Sequence, residues 1–351
     1  MTRTSRSVGR ILMASGCLML ASATALAGDF DPRNGEVKRL VDEVSAEGVD
    51  RAWLEKAMGE ADFSQEVLDA MSGAAEHHLV WHEYRDIFLD EARVAKGVRF
   101  IEQHRDAFER AEHDYQVPPE IIAAILGVET RYGEVTGHHR VLDSLSTLAF
   151  HHDTRGDFFR GELAAFLEIA YEQDVEPGDL EGSYAGAMGY PQFIPTSYRA
   201  YAVDFDGDGA RNLWTDPVDA IGSVGNYFAK HRWQGDAPIY RNAEGPAEPP
   251  ADLDFNQARK PYVSVDRLRE AGITPVAPLP SDTRVIPLAL EQADGSYRYR
   301  LGLDNFYVIT RYNHSYLYAM AVTELAEAIA EARGAPTHWF ESTAVESEER
   351  P

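Results

Sequence analysis

Glu129 is the side chain of this sequence whose type and position best suit acid–base chemistry. It follows Ile122 and Ile125 at helical spacing, so it would share their apolar face. Burial among apolar side chains raises the pKa of a carboxyl group. The negative end of the helix dipole acts in the same direction, because the helix is predicted to end near Gly133. Such a group can hold a proton near neutral pH and donate it to a leaving group.

The alternative for Glu129 is an ordinary ion pair. Arg131 and Arg140 are close in the sequence and would both suit as partners. Spacing alone does not decide between a general acid and an ion pair. The start of the helix is predicted more clearly, because Pro118 and Pro119 lack the N–H groups that a first helical turn leaves unpaired.

Three aspartates at alternate positions form a second cluster that could do chemistry. Asp204, Asp206 and Asp208 occupy positions 1, 3 and 5 of a loop similar to an EF-hand. Gly209 suits the sharp turn at position 6, and Ala210 would offer its backbone carbonyl at position 7. This arrangement predicts a structural Ca²⁺ site, and a plain Asp/Gly turn is the alternative.

The first 27 residues have the pattern of a secretory signal peptide. Three arginines precede an apolar run over 11–27 that ends in Ala-Leu-Ala. Cleavage after Ala27 and a periplasmic location are therefore predicted. Cys17, the only cysteine, lies in a weak lipoprotein-like motif, so a lipid-anchored outer-membrane form is the less favoured alternative. Cleavage after Ala27 would leave a mature chain without disulfides.

The composition is strongly acidic, and this argues against nucleic acid as a partner. The formal charge of the 351 residues is −25, and removal of the leader arginines would take it to about −28. The acidic residues are scattered, which is typical of a solvated surface. A hydrophobic content of 44% supports a sizeable core.

The elements that must position these residues are mostly helical, and the predicted fold class is mainly α, of the α+β type. Helical patterns are predicted over 36–115, 158–171, 218–230 and 317–332. Within the first of these, an apolar stripe of Trp81, Tyr84, Ile87 and Phe88 is assigned to the core. Two strands are predicted at 284–291 and 296–303, with a hairpin turn at Asp294-Gly295. The predicted segments are a signal peptide (1–27), an N-terminal helical domain (30–115), a helical core (116–235) with the cation loop (204–219), a small β-containing subdomain (236–312), a C-terminal helix returning to the helical body (313–335) and an acidic, disordered tail (341–351).

Five segments together resemble the B-type lytic murein transglycosylases, also called the membrane-bound lytic murein transglycosylase B family. They are ETRYG at 129–133, RVLDSLSTLAF at 140–150, GSYAGAMG at 182–189, PQFIPTS at 191–197 and VITRYN at 308–313. The resemblance runs from about residue 30 to about residue 335. Pro191, Ile194 and Thr196 are mild departures from the pattern of the family.

The resemblance implies a lysozyme-like helical core and cleavage of the β-1,4 bond between N-acetylmuramic acid and N-acetylglucosamine in peptidoglycan. The reaction implied is non-hydrolytic and leaves 1,6-anhydro-N-acetylmuramic acid ends. Glu129 matches the catalytic acid/base. The matching substrate-binding positions, with Tyr227 as the least direct match, are Ser183, Gln192, Tyr227, Tyr312, Asn313 and Tyr318.

The resemblance also extends the cation loop and sets the expected partners. Thr215 stands where an EF-hand has its bidentate glutamate, and the longer loop of the family would close with Asp219 instead. No organic cofactor is expected. The expected partner is the peptidoglycan glycan strand, bound by a monomer, with wall-synthesis or remodelling proteins as further candidates.

Two rival functions stay open from the sequence. A hydrolytic muramidase of similar fold would need a second carboxylate, for which Asp143 and Asp153 are nearest in the sequence. A non-catalytic, calcium-dependent wall-binding protein would not need Glu129 to react. The adjacent histidines His138 and His139 lack the spacing of zinc ligands and are predicted to be structural or surface residues.

Overall fold

The computed structural model describes residues 29–73, 79–235, 237–335 and 339. The predicted signal peptide and acidic tail lie outside the described residues. None of the helices formed by the described residues combines the length and the apolar composition that a membrane-spanning segment needs. The described helices are α1 (Gly35–Ala46), α2 (Arg51–Gly59), α3 (Gln65–Gly73), α4 (Trp81–Phe88), α5 (Glu91–Gln103), α6 (Arg105–Tyr115), α7 (Pro119–Thr130), α8 (Val141–His151), α9 (Gly156–Glu172), α10 (Pro195–Tyr201), α11 (Pro217–Lys230), α12 (Val265–Glu270), α13 (Asp304–Tyr312) and α14 (Tyr316–Arg333).

In the part of the chain that the structure describes, seven short strands form two antiparallel sheets, so the predicted fold class is confirmed. A two-stranded sheet pairs β1 (His139–Arg140) with β2 (Glu181–Gly182). The larger sheet has the strand order β4-β6-β7-β3-β5. Its strands are β3 (Tyr240–Glu244), β4 (Val263–Ser264), β5 (Thr274–Pro275), β6 (Arg284–Glu291) and β7 (Tyr297–Gly302).

Helix α7 lies at the centre of the helical body. Ten of its twelve residues are buried, as expected for a helix that is apolar on nearly every side. It packs against α5, α6, α11 and α14. The predicted start is confirmed, but the helix ends at Thr130, three residues before Gly133. It stops there because Arg131 and Tyr132 adopt left-handed backbone angles, with φ of 52° and 62°.

The predicted periodicities elsewhere are largely confirmed. The segments predicted as helical at 158–171, 218–230 and 317–332 correspond to α9, α11 and α14. One apolar stripe is only partly buried: Trp81 in α4 is buried, whereas Ile87 is 48% exposed. The stripe at 81–88 therefore does not form a continuous core face.

The larger sheet has a small core of its own beside the helical body. The hairpin of β6 and β7 is confirmed, and Gly295 provides the positive φ of 79° that its turn requires. This second core contains Val265, Leu268, Ile273, Val285, Ala289, Tyr299 and Leu301. It is separate from the main core, which is made mostly by the helices. The domain boundaries remain a prediction.

Candidate active site

Glu129 is the second-to-last residue of α7, and its carboxylate contacts the start of α14. Its Oε1 accepts a hydrogen bond of 2.6 Å from the hydroxyl of Tyr318. Ser315 caps α14 and accepts the backbone N–H of Tyr318 through its side chain, which fixes the first turn of that helix. Two residues 189 positions apart are thus brought into direct contact by the packing of α7 against α14.

The ion pair considered for Glu129 is wrong. Arg131 lies 3.7 Å from Asp90, and Arg140 pairs with Asp143 at 2.8 Å. Within the described residues, neither arginine pairs with Glu129. The prediction that Glu129 shares an apolar helix face is confirmed, because Ile122 and Ile125 are both fully buried. The carboxyl group therefore has a phenol rather than a cation as its polar neighbour.

The surroundings of Glu129 move the titration of its carboxyl group close to neutral pH. The side chain retains partial exposure, yet the protein packed around it desolvates the charged form and raises its pKa from 4.5 to about 7. The hydrogen bond from Tyr318 opposes this effect, because it stabilises the carboxylate. A pKa close to the working pH allows one carboxyl group to donate a proton and then to take one back.

Tyrosine rings line the side of the site next to Glu129. The ring of Tyr312 lies parallel to that of Tyr318, with centroids 6.2 Å apart, and its hydroxyl donates to the carbonyl of Pro191 at 2.6 Å. The ring centroids of Tyr227 and Tyr312 lie 4.8 Å apart. Burial, and secondarily the charge of Glu129, holds the pKa of Tyr312 and Tyr318 well above 10. Both phenols therefore act as neutral hydrogen-bond donors.

Tyr84 belongs to the same environment and was missed from the sequence. It lies in α4, and its pKa is raised to about 12, first by burial and then by the charge of Glu129. The periodicity of α4 assigned its ring to the core. No sequence signal separated it from the other aromatic residues of that helix, since its nearness to Glu129 depends on tertiary packing.

Ser183 and Gln192 lie in two loops whose backbones they help to build. The Ser183 hydroxyl oxygen accepts the backbone N–H of Ala187 at 3.0 Å. Gln192 donates through Nε2 to the carbonyls of Thr136 at 3.0 Å and Gly189 at 2.9 Å. The Ser183 hydroxyl hydrogen and Gln192 Oε1 take no part in these bonds. They have the donor and acceptor chemistry that sugar hydroxyls and N-acetyl groups require.

Asn313 lies at the exposed end of the predicted binding set. It directly follows Tyr312, where α13 ends, and its carbonyl accepts the N–H of Ser315 at 2.7 Å. The turn between α13 and α14 therefore carries Tyr312, Asn313 and Tyr318 close together in the chain.

Three of the predicted cation ligands converge in the loop before α11. The carboxylate oxygens of Asp204, Asp206 and Asp219 lie within 4.8 Å of one another. Asp219 is only 1% exposed, and its two oxygens accept the backbone N–H groups of Phe205 at 2.6 Å and Asn212 at 2.7 Å. Burial raises its pKa. A buried carboxylate beside two further carboxylates fits a hard divalent cation such as Ca²⁺.

The remaining predicted ligands of this loop are placed differently. Asp208 is outside the group of three, and its Oδ1 instead accepts the N–H of Ala210 at 2.8 Å. Thr215 accepts a hydrogen bond from the side chain of Asn212. Direct ligation by Asp208 and by the carbonyl of Ala210 stays a prediction.

Comparison with known proteins identifies the family. The family model described as "Transglycosylase SLT domain" matches residues 33–327. The chain belongs to this family. It is 44% identical over 320 residues to "Membrane-bound lytic murein transglycosylase B" of Escherichia coli (strain K12), covering 88% of this chain and 86% of that protein.

Two solved structures of lytic transglycosylases share the fold. Soluble lytic transglycosylase SltB1 from Pseudomonas aeruginosa is 46% identical, with a TM-score of 0.79, covering 86% of this chain and 100% of that chain. The Escherichia coli lytic transglycosylase Slt35, solved in complex with calcium, is 43% identical, with a TM-score of 0.80, covering 89% of this chain and 98% of that chain. The predicted lysozyme-like fold and the lytic transglycosylase function are confirmed.

The hydrolytic alternative is not favoured, and the two candidate second carboxylates do not support it. Asp143 is held by Arg140 at 2.8 Å and by the backbone N–H of Asp62 at 3.0 Å. Asp153 is exposed directly after the end of α8. The enzyme is a lytic transglycosylase that belongs to a family acting on peptidoglycan.

Proposed function

We propose that Glu129 is the single acid/base of this lytic transglycosylase. The observation that carries the proposal is a desolvated carboxyl group with a pKa near 7, hydrogen-bonded to Tyr318 and not to a cation. Protonated Glu129 would donate its proton to the glycosidic oxygen as the bond to C1 of the muramic acid breaks. The resulting carboxylate would then accept the proton of the muramic acid C6 hydroxyl as that oxygen bonds to C1. The product is a 1,6-anhydro end, and Glu129 regains its proton.

The proposed substrate is the glycan strand of peptidoglycan, between N-acetylmuramic acid and N-acetylglucosamine. The name of the 44% identical Escherichia coli relative, a murein transglycosylase, supports this choice. Aromatic faces suit the apolar sides of pyranose rings, while amides and hydroxyls suit ring substituents. The side chains proposed to bind the sugars are Ser183, Gln192, Tyr227, Tyr312, Asn313 and Tyr318.

Mass spectrometry of muropeptides released by the mature protein and by its Glu129→Gln variant tests the mechanism. The wild type should release products that are one water lighter than hydrolytic products. Glu129→Gln should lower the rate by about 10²–10⁴-fold or more, because amide cannot donate the proton. A thermal melt should show that the variant is folded. Hydrolytic products from the wild type, or full activity of a folded Glu129→Gln variant, would contradict the proposal.

We further propose that the loop over 204–219 holds one structural Ca²⁺. Asp204, Asp206 and Asp219 would supply its carboxylate ligands, with Asp208 and the Ala210 carbonyl as the additional ligands predicted from the spacing. The bound ion would neutralise the converging carboxylates and fix the start of α11. The solved calcium complex of Slt35 supports the choice of ion.

We also propose export to the periplasm, with cleavage after Ala27. The leader pattern supports this, and the name of the Escherichia coli relative describes that protein as membrane-bound. Cell fractionation combined with mass determination of the mature N-terminus tests the proposal. A lipid-modified Cys17 at the mature N-terminus would replace it with the anchored form.

A further inference from the structure

Two histidines that lack the sequence spacing of metal ligands lie beside a glutamate in the structure. His138 and His139 come together with Glu66, which lies in the first turn of α3, and one ligand atom of each is within 4.8 Å of the others. The two imidazole rings stack with centroids 4.4 Å apart. The sequence could not show this cluster, because Glu66 precedes the histidines by some seventy positions and lies in α3, whereas the histidines lie in a loop and in β1.

The donor set suits a borderline transition-metal ion better than a hard one. Two imidazole nitrogens and one carboxylate oxygen are ligands of Zn²⁺, which binds them at about 2.0–2.2 Å and keeps water at its fourth position. Ligand atoms around such an ion lie about 3.3 Å apart, so the present separations need to close by about 1.5 Å at most. Glu66 and His138 are exposed, so their side chains can rotate without disturbing the core.

The backbone beneath the histidines is firmly held. His139 pairs with Gly182 in the β1–β2 sheet. Gly137, with a φ of 100°, lies so close to the Gly182 carbonyl that a Cβ there would collide with it. A site with two ligands on a fixed backbone loses less entropy on binding than one built on a mobile loop.

We propose that Glu66, His138 and His139 form a site for one Zn²⁺-class ion that ties α3 to the loop over 134–140. This loop supports two of the proposed sugar-binding side chains, Ser183 and Gln192. Its Thr136 carbonyl accepts the amide of Gln192, and His139 pairs with the residue just before Ser183. An ion held there links the N-terminal helices to one wall of the substrate site.

Direct metal titration tests the site in the full mature protein. The protein is stripped with chelator, saturated with Ca²⁺ to occupy the aspartate loop, and titrated with Zn²⁺ by calorimetry and with Co²⁺ by visible absorption. One ion should bind in the micromolar range, with a Co²⁺ spectrum typical of nitrogen and oxygen ligands. His138→Ala and Glu66→Gln should each weaken this binding by about tenfold or more.

His113→Ala is the matched control, because that histidine is largely exposed on α6 and is outside the cluster. It should leave the affinity unchanged. Thermal melts without metal should show that all three variants are folded. Zn²⁺ binding that is absent from the wild type, or that survives both His138→Ala and Glu66→Gln, would overturn the site.

The effect on the enzyme is a separate measurement, and only this part depends on the proposed roles of Ser183 and Gln192. Zn²⁺ should lower KM for glycan strands while kcat stays within about twofold, since the ion orders the binding wall and does not touch Glu129. Metal binding with an unchanged KM would remove the link to substrate binding. Activity that persists in Glu129→Gln would instead contradict the proposed mechanism and leave the metal result intact.

Discussion

The contact between Glu129 and Tyr318 sets the acid–base properties of the site. Burial alone would push the carboxyl pKa higher than about 7, and the phenol partly reverses this by donating to the charged form. A second tyrosine, Tyr312, lies against Tyr318 but donates its hydroxyl to Pro191 instead. The two phenols therefore have similar surroundings and different partners, which makes them a matched pair for mutation.

Tyr318→Phe should raise the pKa of Glu129 by about one unit, since a hydrogen bond to a charged group is worth about 1.5–3 kcal/mol and part of it is regained from water. The descending limb of the pH–rate profile, where the acid loses its proton, should move to higher pH by that amount. Tyr312→Phe should leave that limb in place, although it removes an equivalent hydroxyl. The measurement is kcat/KM against pH for both variants, and an equal shift in the two would contradict the assignment.

The raised pKa of Glu129 also predicts a pH dependence of stability. The fold favours the protonated carboxyl group, so its contribution is fully present below pH 4.5 and is lost as pH rises through about 7. Relative to Glu129→Gln, the wild type should lose at most about 3 kcal/mol of unfolding free energy across this window. Urea unfolding of both proteins between pH 4 and 8 gives the difference. If the wild type instead gained stability relative to Glu129→Gln as pH rises, Glu129 would be charged in the folded protein.

At the scale of elements, a helix start, a turn and an apolar helix face were predicted correctly from the local sequence. The prolines at the start of α7 and the Asp294-Gly295 turn between β6 and β7 were identified from residue type alone. The apolar face of α7 also placed Glu129 correctly beside Ile122 and Ile125. These features depend on backbone preferences and periodicity within a few residues.

Contacts between residues that are far apart in the sequence could not be predicted from residue types and spacing. Tyr84 was assigned to the core, and His138 and His139 were set aside because Glu66 is remote in the chain. The family resemblance gave Tyr318 as a substrate-binding position, and its hydrogen bond to Glu129 was found only in the structure. In each case the deciding contact joins different secondary-structure elements, and no periodicity within one element encodes it.

The loop proposed to hold Ca²⁺ also belongs to the scale of elements, because its predicted ligand Asp219 lies in the first turn of α11. Chelation of Ca²⁺ should lower the melting temperature, since three converging carboxylates would repel one another without the ion. Turnover of the enzyme that remains folded should fall much less. Thermal melts and rate assays with chelator, followed by Ca²⁺ re-addition, measure both effects. A complete and reversible loss of turnover without a change in melting would indicate a catalytic metal.

A matched pair of variants distinguishes the three-carboxylate group from a regular EF-hand loop. Asp206→Asn should weaken Ca²⁺ binding more than Asp208→Asn, because Asp208 is outside the group and accepts the N–H of Ala210. Calorimetric titration with Ca²⁺ compares the two affinities. An equal or larger loss with Asp208→Asn would indicate that the ion rearranges the loop into the EF-hand arrangement predicted from the spacing.

At the scale of the whole molecule, one carboxylate joins the larger sheet to the helical body. Glu324 in α14 is 7% exposed and accepts hydrogen bonds from Arg85 of α4, at 2.9 Å, and from Arg298 of β7. The same helix carries Tyr318 in its first turn, six residues before Glu324. The sheet with its own small core and the helix that contacts Glu129 are therefore connected through a partly buried, charged junction.

Glu324→Gln should destabilise this junction by about 1–3 kcal/mol, because it leaves two arginines without their shared carboxylate. The expected loss of unfolding free energy is smaller than for a fully buried ion pair, since the side chains of Arg85 and Arg298 are 41% and 35% exposed. Glu176→Gln is the control: its ion pair with Lys56 is solvent-exposed, so its loss should barely change stability. Urea unfolding at pH 8, followed by tryptophan fluorescence, compares both with the wild type. Equal stability of the two variants would show that the junction contributes no more than a surface ion pair.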